Sequence, residues 1–144
     1  MLCSVFTLGL IVSYKGDIGS EEVQKLLETP QGVGGTEEAL GYIDVTPEEA
    51  KDLIENNPDL IIIDVSPNYE NGHLPGAVNY YVGDSSLDNA IPTLDKEAKY
   101  LVYCHVDSAA ILGAQKLVDS GFKNVYRLEG NYSSWIDAGY EVEV

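Results

Sequence analysis

Basic side chains are scarce in this chain. Eight of them, with Arg127 the only arginine, face 24 acidic residues, for a formal net charge of −16. That balance excludes nucleic acid as a partner, because binding phosphate backbones depends on lysine and arginine. It also disfavours anionic membrane surfaces and holds small anions at a distance. Cysteine is nearly as rare, with only Cys3 and Cys104. They either pair in an oxidising compartment or, with Cys3 in an apolar leader that is removed, leave Cys104 a lone thiol to be read as reactive. The two histidines, His73 and His105, show no recognised metal-ligand spacing with Cys104. Neither a metal nor any other cofactor is expected. No apolar run approaches the ~20 residues needed to span a bilayer. Internal repeats and low-complexity tracts are absent.

The chain's 144 residues suit one domain with a real core. Residues 1–14, MLCSVFTLGLIVSY, carry no charged side chain. Leu2 to Val12 has the character of a signal-peptide h-region, without a basic n-region or a small-x-small cleavage site. The expectation is an exported or membrane-tethered protein that touches membrane only through this leader. The alternative is a core strand or helix of a cytoplasmic protein. Residues 15–41 hold SEEVQKLLE, a short helix capped by Ser20, and QGVGG, a linker.

From Tyr42 to Val144 the pattern becomes regular. Tyr42–Val45 reads as a short strand. Thr46-Pro47-Glu48-Glu49 reads as a helix start: an N-cap, a proline at the first helical position and early acidic residues. The helix runs to about Asn56, with Ala50, Leu53 and Ile54 as its apolar face. Leu60–Val65, LIIIDV, is a continuous apolar run broken by Asp64, the mark of a buried parallel strand. Turn chemistry follows at Asn71-Gly72 and Pro75-Gly76, then a short strand Ala77–Tyr80. Residues 82–98 read as a loop anchored by Leu87, Ile91 and Leu94.

Lys99 to Leu117, KYLVYCHVDSAAILGAQKL, organises the rest. Tyr100–Tyr103 is an apolar strand ending at Cys104. Asp107 and Ser108 are suited to capping the helix that follows. Ala110, Ile111, Ala114, Leu117 and Val118 recur at helical spacing, and Gly121 stops the helix. Lys123–Leu128 is a fifth strand and Tyr132–Ala138 a last short helix carrying the sole tryptophan, Trp135. Strands alternating with helices predict an α/β fold, a parallel sheet covered on both faces. A Cys at the C-terminal end of such a strand meets the unpaired N–H groups of the loop and the positive end of the helix dipole. Both favour a thiolate. The competing reading is a buried structural cysteine.

Taken together and in order, these segments resemble the rhodanese domain, the sulfurtransferase module, over residues 42–144. IIIDV, GHLPGAVN, YLVYC, and GFKNVYRLEG followed by Trp135 carry the resemblance, and the interval from Cys104 to Gly121-Phe122 fits without a gap. The resemblance implies a three-layer domain with a central, mostly parallel five-stranded sheet. It implies that Cys104 takes sulfur from a small donor, holds it as a persulfide, and passes it to a thiol, cyanide or a protein acceptor. The loop His105, Val106, Asp107, Ser108, Ala109 and Ala110 then stands where the family rings the sulfur with N–H donors. It departs from common family loops, which carry Gly, Arg and Ser where Asp107, Ala109 and Ala110 stand here. The arginine that would attract an anionic donor is missing. Phosphatases of related fold need an arginine at the position of Ala110, so phosphate-ester hydrolysis is excluded. The alternative on the same fold is a catalytically weak binding or redox-sensing module.

The supporting residues each have two readings. His73 either touches substrate or orders its loop through hydrogen bonds. His105 either points toward the thiol, as base or imidazolium, or away from it. Asp64 is assigned to loop N–H groups. Ser108 is either a cap or a donor to bound sulfur. Arg127 pairs with Glu129 or Asp107, or supplies the missing cation. Tyr80 and Tyr81 either line the crevice or simply pack.

Overall fold

The computed structural model describes residues 41–144. The leader, Cys3 and the helix expected after Ser20 lie outside the described residues. The elements are β1 (Ile43–Val45), α1 (Pro47–Asn56), β2 (Ile61–Asp64), β3 (Val78–Asn79), α2 (Ser86–Ala90), β4 (Lys99–Tyr103), α3 (Asp107–Asp119), β5 (Asn124–Leu128) and α4 (Asn131–Asp137). Single 3-10 turns at Tyr69–Asn71 and Ile91–Thr93 complete the path.

All five strands are parallel, in the order β1-β5-β4-β2-β3. The expected sheet was mostly parallel; the observed one is wholly so. β4 is the middle strand, and Tyr100 to Tyr103 are fully buried, as a strand covered on both faces requires. Alternation along the strands divides the core into two. Ile63, Val65, Tyr100, Val102, Ala110, Ala114 and Leu117 pack between the sheet and α3. Ile62, Leu101, Tyr103, Leu128, Ala50 and Trp135 pack on the opposite side, under α1 and α4. The result is the expected three-layer α/β domain.

α1 starts as the sequence predicts. Thr46 Oγ1 accepts from the Glu49 N–H at 3.1 Å, and Glu49 Oε2 accepts from the Thr46 N–H at 2.8 Å. Two expectations are corrected. Residues 82–98 are not an open loop, since α2 and a 3-10 turn form there. Leu87, Ala90 and Ile91 sit at helical spacing and bury that face, while Pro92 ends the α-helical stretch. α3 begins at Asp107 with Val106 as its N-cap and no side-chain cap, so neither Asp107 nor Ser108 caps it. The Asp107 carboxylate is committed elsewhere.

Candidate functional site

Cys104 directly follows the middle strand and is 1% exposed. The first turn of α4 grips its backbone from both sides. The Cys104 N–H donates to Asn131 Oδ1 at 3.1 Å, and the Cys104 carbonyl accepts from the Tyr132 N–H at 3.0 Å. Burial pushes the thiol above its ordinary pKa. The backbone N–H groups of Val106 and His105 pull it down, and the Asp64 carboxylate pushes it up again. Of the loop His105 to Ala110, where a ring of N–H donors is expected, the N–H groups of His105 and Val106 act on the thiol, and desolvation outweighs them.

Asn131 is a residue that sequence reasoning missed. It sits at φ 57 directly after Gly130 at φ 74, a left-handed pair that turns the chain sharply from β5 into α4. Asparagine tolerates that region better than most residues. The only signal in the sequence is a Gly-Asn pair at a strand end, which alone marks a turn and nothing more.

Asn131 Nδ2 also donates to Asp107 Oδ1 at 2.9 Å. Arg127 Nη1 donates to that same oxygen at 2.6 Å, and Arg127 Nε to Asp44 Oδ1 at 2.7 Å. Asp44 and Arg127 are direct neighbours in the β1–β5 register. Hydrogen bonds from Asn131 and then Arg127 hold the Asp107 carboxyl below the usual carboxylate range. Burial opposes the guanidinium's charge, and the two carboxylates outweigh it, so the Arg127 pKa rises. Of the partners considered for Arg127, Asp107 is observed, joined by Asp44. The sole arginine is therefore neutralised inside the fold and is not a free cation beside the sulfur.

His105 stacks on Tyr132, with ring centroids 4.3 Å apart. Its Nε2 lies 4.0 Å from Asp64 Oδ2, and neither atom has a hydrogen-bond partner although both are buried. Asp64 is fully buried, and its Oδ1 accepts from the Ser66 N–H at 2.8 Å, the loop contact expected of it. The adjoining Tyr103 hydroxyl accepts from the Leu74 N–H at 3.0 Å. Burial, with the Asp64 charge, pushes its pKa far up and keeps it protonated.

The other expected residues divide. Ser108 is exposed, Ala109 half-buried, and Ala110 part of the core under α3. Tyr80 packs against that same core. His73 stacks on Tyr69 at 3.7 Å, holds the Tyr69 carbonyl through Nδ1 at 3.0 Å, and pairs with Glu143 through a two-way backbone bridge. Trp135 is buried and donates Nε1 to the Glu141 carbonyl at 2.8 Å. Both secure the C-terminal segment rather than the thiol. A cleft of about 420 Å³ lined by Lys51, Ile54, Pro75, Trp135 and Tyr140 contains none of the loop residues.

Comparison with known proteins decides the family. Residues 46–138 match the family model described as the rhodanese-like domain. The chain belongs to the rhodanese-like family. A thiosulfate sulfurtransferase GlpE of Coxiella burnetii is 33% identical over 96 residues, covering 65% of this chain and 87% of the relative. The corresponding Pseudomonas fluorescens protein is 31% identical over 91 residues, covering 63% and 82%. Among solved structures, the rhodanese-like domain of Anabaena sp. Alr3790 aligns with TM-score 0.63 at 27% identity, covering 69% of this chain and 77% of that one. Among the described residues of this rhodanese-like chain, no helix is long and apolar enough to cross a membrane.

Proposed function

We propose that this rhodanese-like domain is a sulfurtransferase that carries sulfane sulfur as a persulfide on Cys104. The carrying observation is the place of the thiol: at the C-terminal end of the middle strand, under backbone N–H donors and before α3. Open α/β sheets keep their reactive crevices at that end. In the first half-reaction the Cys104 thiolate attacks the outer sulfur of a donor. The donor's S–S bond breaks, and its electron pair leaves on sulfite or a thiolate. In the second, a thiophile attacks the outer sulfur and Cys104 departs with the bonding pair. The backbone N–H groups of His105 and Val106, which pull the thiol's pKa down, favour the anionic sulfur in both steps.

The loop points to a donor class. Arg127 is neutralised by Asp44 and Asp107, and Asp107 itself faces the cation rather than an incoming ligand. Among the described residues the one arginine is thus committed and the loop His105 to Ala110 holds no lysine or arginine to clamp a dianion, so the site suits neutral or thiol-bound sulfur better than thiosulfate. Intact mass after treatment with several donors tests the proposal. The expected result is one added sulfur on wild type and none on Cys104→Ser; a Cys104→Ser variant with full transfer activity overturns it. The raised, buried thiol also favours a second reading, a binding or redox-sensing module on the same fold whose thiol is inert or forms mixed disulfides rather than persulfides. That reading predicts Cys104 unmodified or carrying a mixed disulfide, and no persulfide.

A further inference from the structure

Two buried polar atoms face each other without a partner, one on the residue that follows Cys104 and one on the carboxylate whose charge acts on the thiol. Asp64 Oδ2 and His105 Nε2 lie 4.0 Å apart, on a carboxylate with no solvent exposure and a ring about one-fifth exposed. Leaving a buried carboxylate oxygen unpaired is costly, and native structures rarely do so without a reason. A small approach of the ring, or one bridging water, satisfies both atoms at once. Either way Asp64 calls for an N–H at Nε2. In neutral imidazole this makes Nδ1 the proton acceptor.

We propose that His105, positioned by Asp64, is the proton-transfer group serving Cys104. The proposal rests on the sulfurtransferase reading. Its need arises from the surroundings of the sulfur, which is buried near a carboxylate where a bare thiolate is disfavoured. When a thiol acceptor discharges the persulfide, the acceptor's S–H proton passes to His105 Nδ1. The acceptor sulfur bonds to the outer sulfur, and the bond between that sulfur and Cys104 Sγ breaks. Its electron pair stays on Sγ. His105 then returns the proton to Sγ, so a persulfide and a thiol become a thiol and a persulfide with no external oxidant or reductant.

The groups around His105 support a single assignment. β2 contributes Asp64 and α4 contributes the Tyr132 ring, behind which stands the Tyr103 ring of β4, whose hydroxyl stays protonated. Asp107 at the start of α3 is held by Arg127 and Asn131. Among these groups the imidazole is the one side chain of a type suited to taking up and returning a proton, and it stands on the residue directly after Cys104.

The test uses the full chain, loaded with sulfur and discharged to 2-mercaptoethanol across pH 6 to 9. His105→Gln is expected to reach the same final sulfur load by intact mass, but more slowly, and once loaded to discharge at least about tenfold more slowly near pH 7. Its pH profile should lose the limb present in wild type. Added imidazole should recover much of the rate in His105→Gly, which a merely structural histidine does not allow. Asp64→Asn should shift the limb rather than abolish it; should that variant not fold, the His105 variants decide alone. An unchanged profile in His105→Gln, or a loss that imidazole does not rescue, overturns the proposal. If wild type takes up no sulfur from any donor, the sulfurtransferase reading fails instead. The rate of iodoacetamide alkylation, read on the Cys104 peptide, then decides: the same limb present in wild type and absent in His105→Gln supports the proton-transfer role, and identical profiles reject it.

Discussion

Four side chains tie down the loop that follows Cys104: Asp44, Arg127, Asp107 and Asn131. Asn131 has two tasks, accepting the Cys104 N–H and donating to Asp107. Asn131→Gly keeps the left-handed backbone and removes both bonds. It should cost about 1–3 kcal/mol in denaturant unfolding, because a buried N–H loses its partner. Asn131→Ala should cost about 1 kcal/mol more, since alanine resists that conformation. Equal stability of the two variants would show that the backbone is unstrained there. Asp107 gives a pH signature. Its carboxyl is lowered in the folded chain, so its contribution is present above the ordinary carboxylate pKa of about 4 and is lost as pH falls through the lower folded value. Asp107→Asn should therefore flatten the acid limb of the stability profile; a limb of unchanged steepness counts against the tie. At this scale Cys104 was legible because a reactive residue type stands at a legible strand end. Asn131 was not, because its partners are 24 and 27 residues away in sequence and become neighbours only when β4 and β5 pair. The direction of Arg127 was open for the same reason: its partner Asp44 arrives from β1, across the sheet.

Among the elements, the β4–α3 unit was legible almost to its ends, because its apolar periods are unbroken. The start of α3 was misread: capping propensity is a local preference, and a buried arginine outcompeted it for the Asp107 carboxylate. α2 was missed because three apolar anchors among polar residues give a weak period over so short a helix. The turn before Leu74 shows how elements meet at the site. Gly72 stands at φ 142, and a β-carbon there would lie 2.0 Å from the Tyr132 hydroxyl oxygen. Tyr132 in turn carries the His105 ring. Gly72→Ala must move Tyr132 and strain the backbone, at about 1–3 kcal/mol. The expected outcome is a lower melting temperature together with slower sulfur discharge. If only stability falls, the Tyr132 stack does not govern His105.

Across the whole molecule, the net charge of −16 acts on any charged donor before it reaches the loop. The fold supplies no internal remedy, since its single arginine is neutralised by two carboxylates. A family-like loop supplies one: Asp107→Gly with Ala109→Arg places a cation at the start of α3. It should raise kcat/KM for thiosulfate at least about tenfold, a change of only ~1.4 kcal/mol in transition-state binding. Salt separates the two contributions. The Debye length falls from about 30 Å at 0.01 M to about 8 Å at 0.15 M ionic strength. Over that range wild type should use thiosulfate better as the repulsion is screened, while its rate with a neutral organic persulfide stays constant. The advantage of the double variant over wild type should shrink over the same range, because part of it is long-range attraction. A neutral donor that responds to salt as strongly as thiosulfate would mean that salt acts on the loop's own ion pairs. If wild type already turns over thiosulfate well and the double variant matches it, the backbone N–H donors around Cys104 are sufficient for the dianion, and the arginine common in the family's loops is dispensable in this chain.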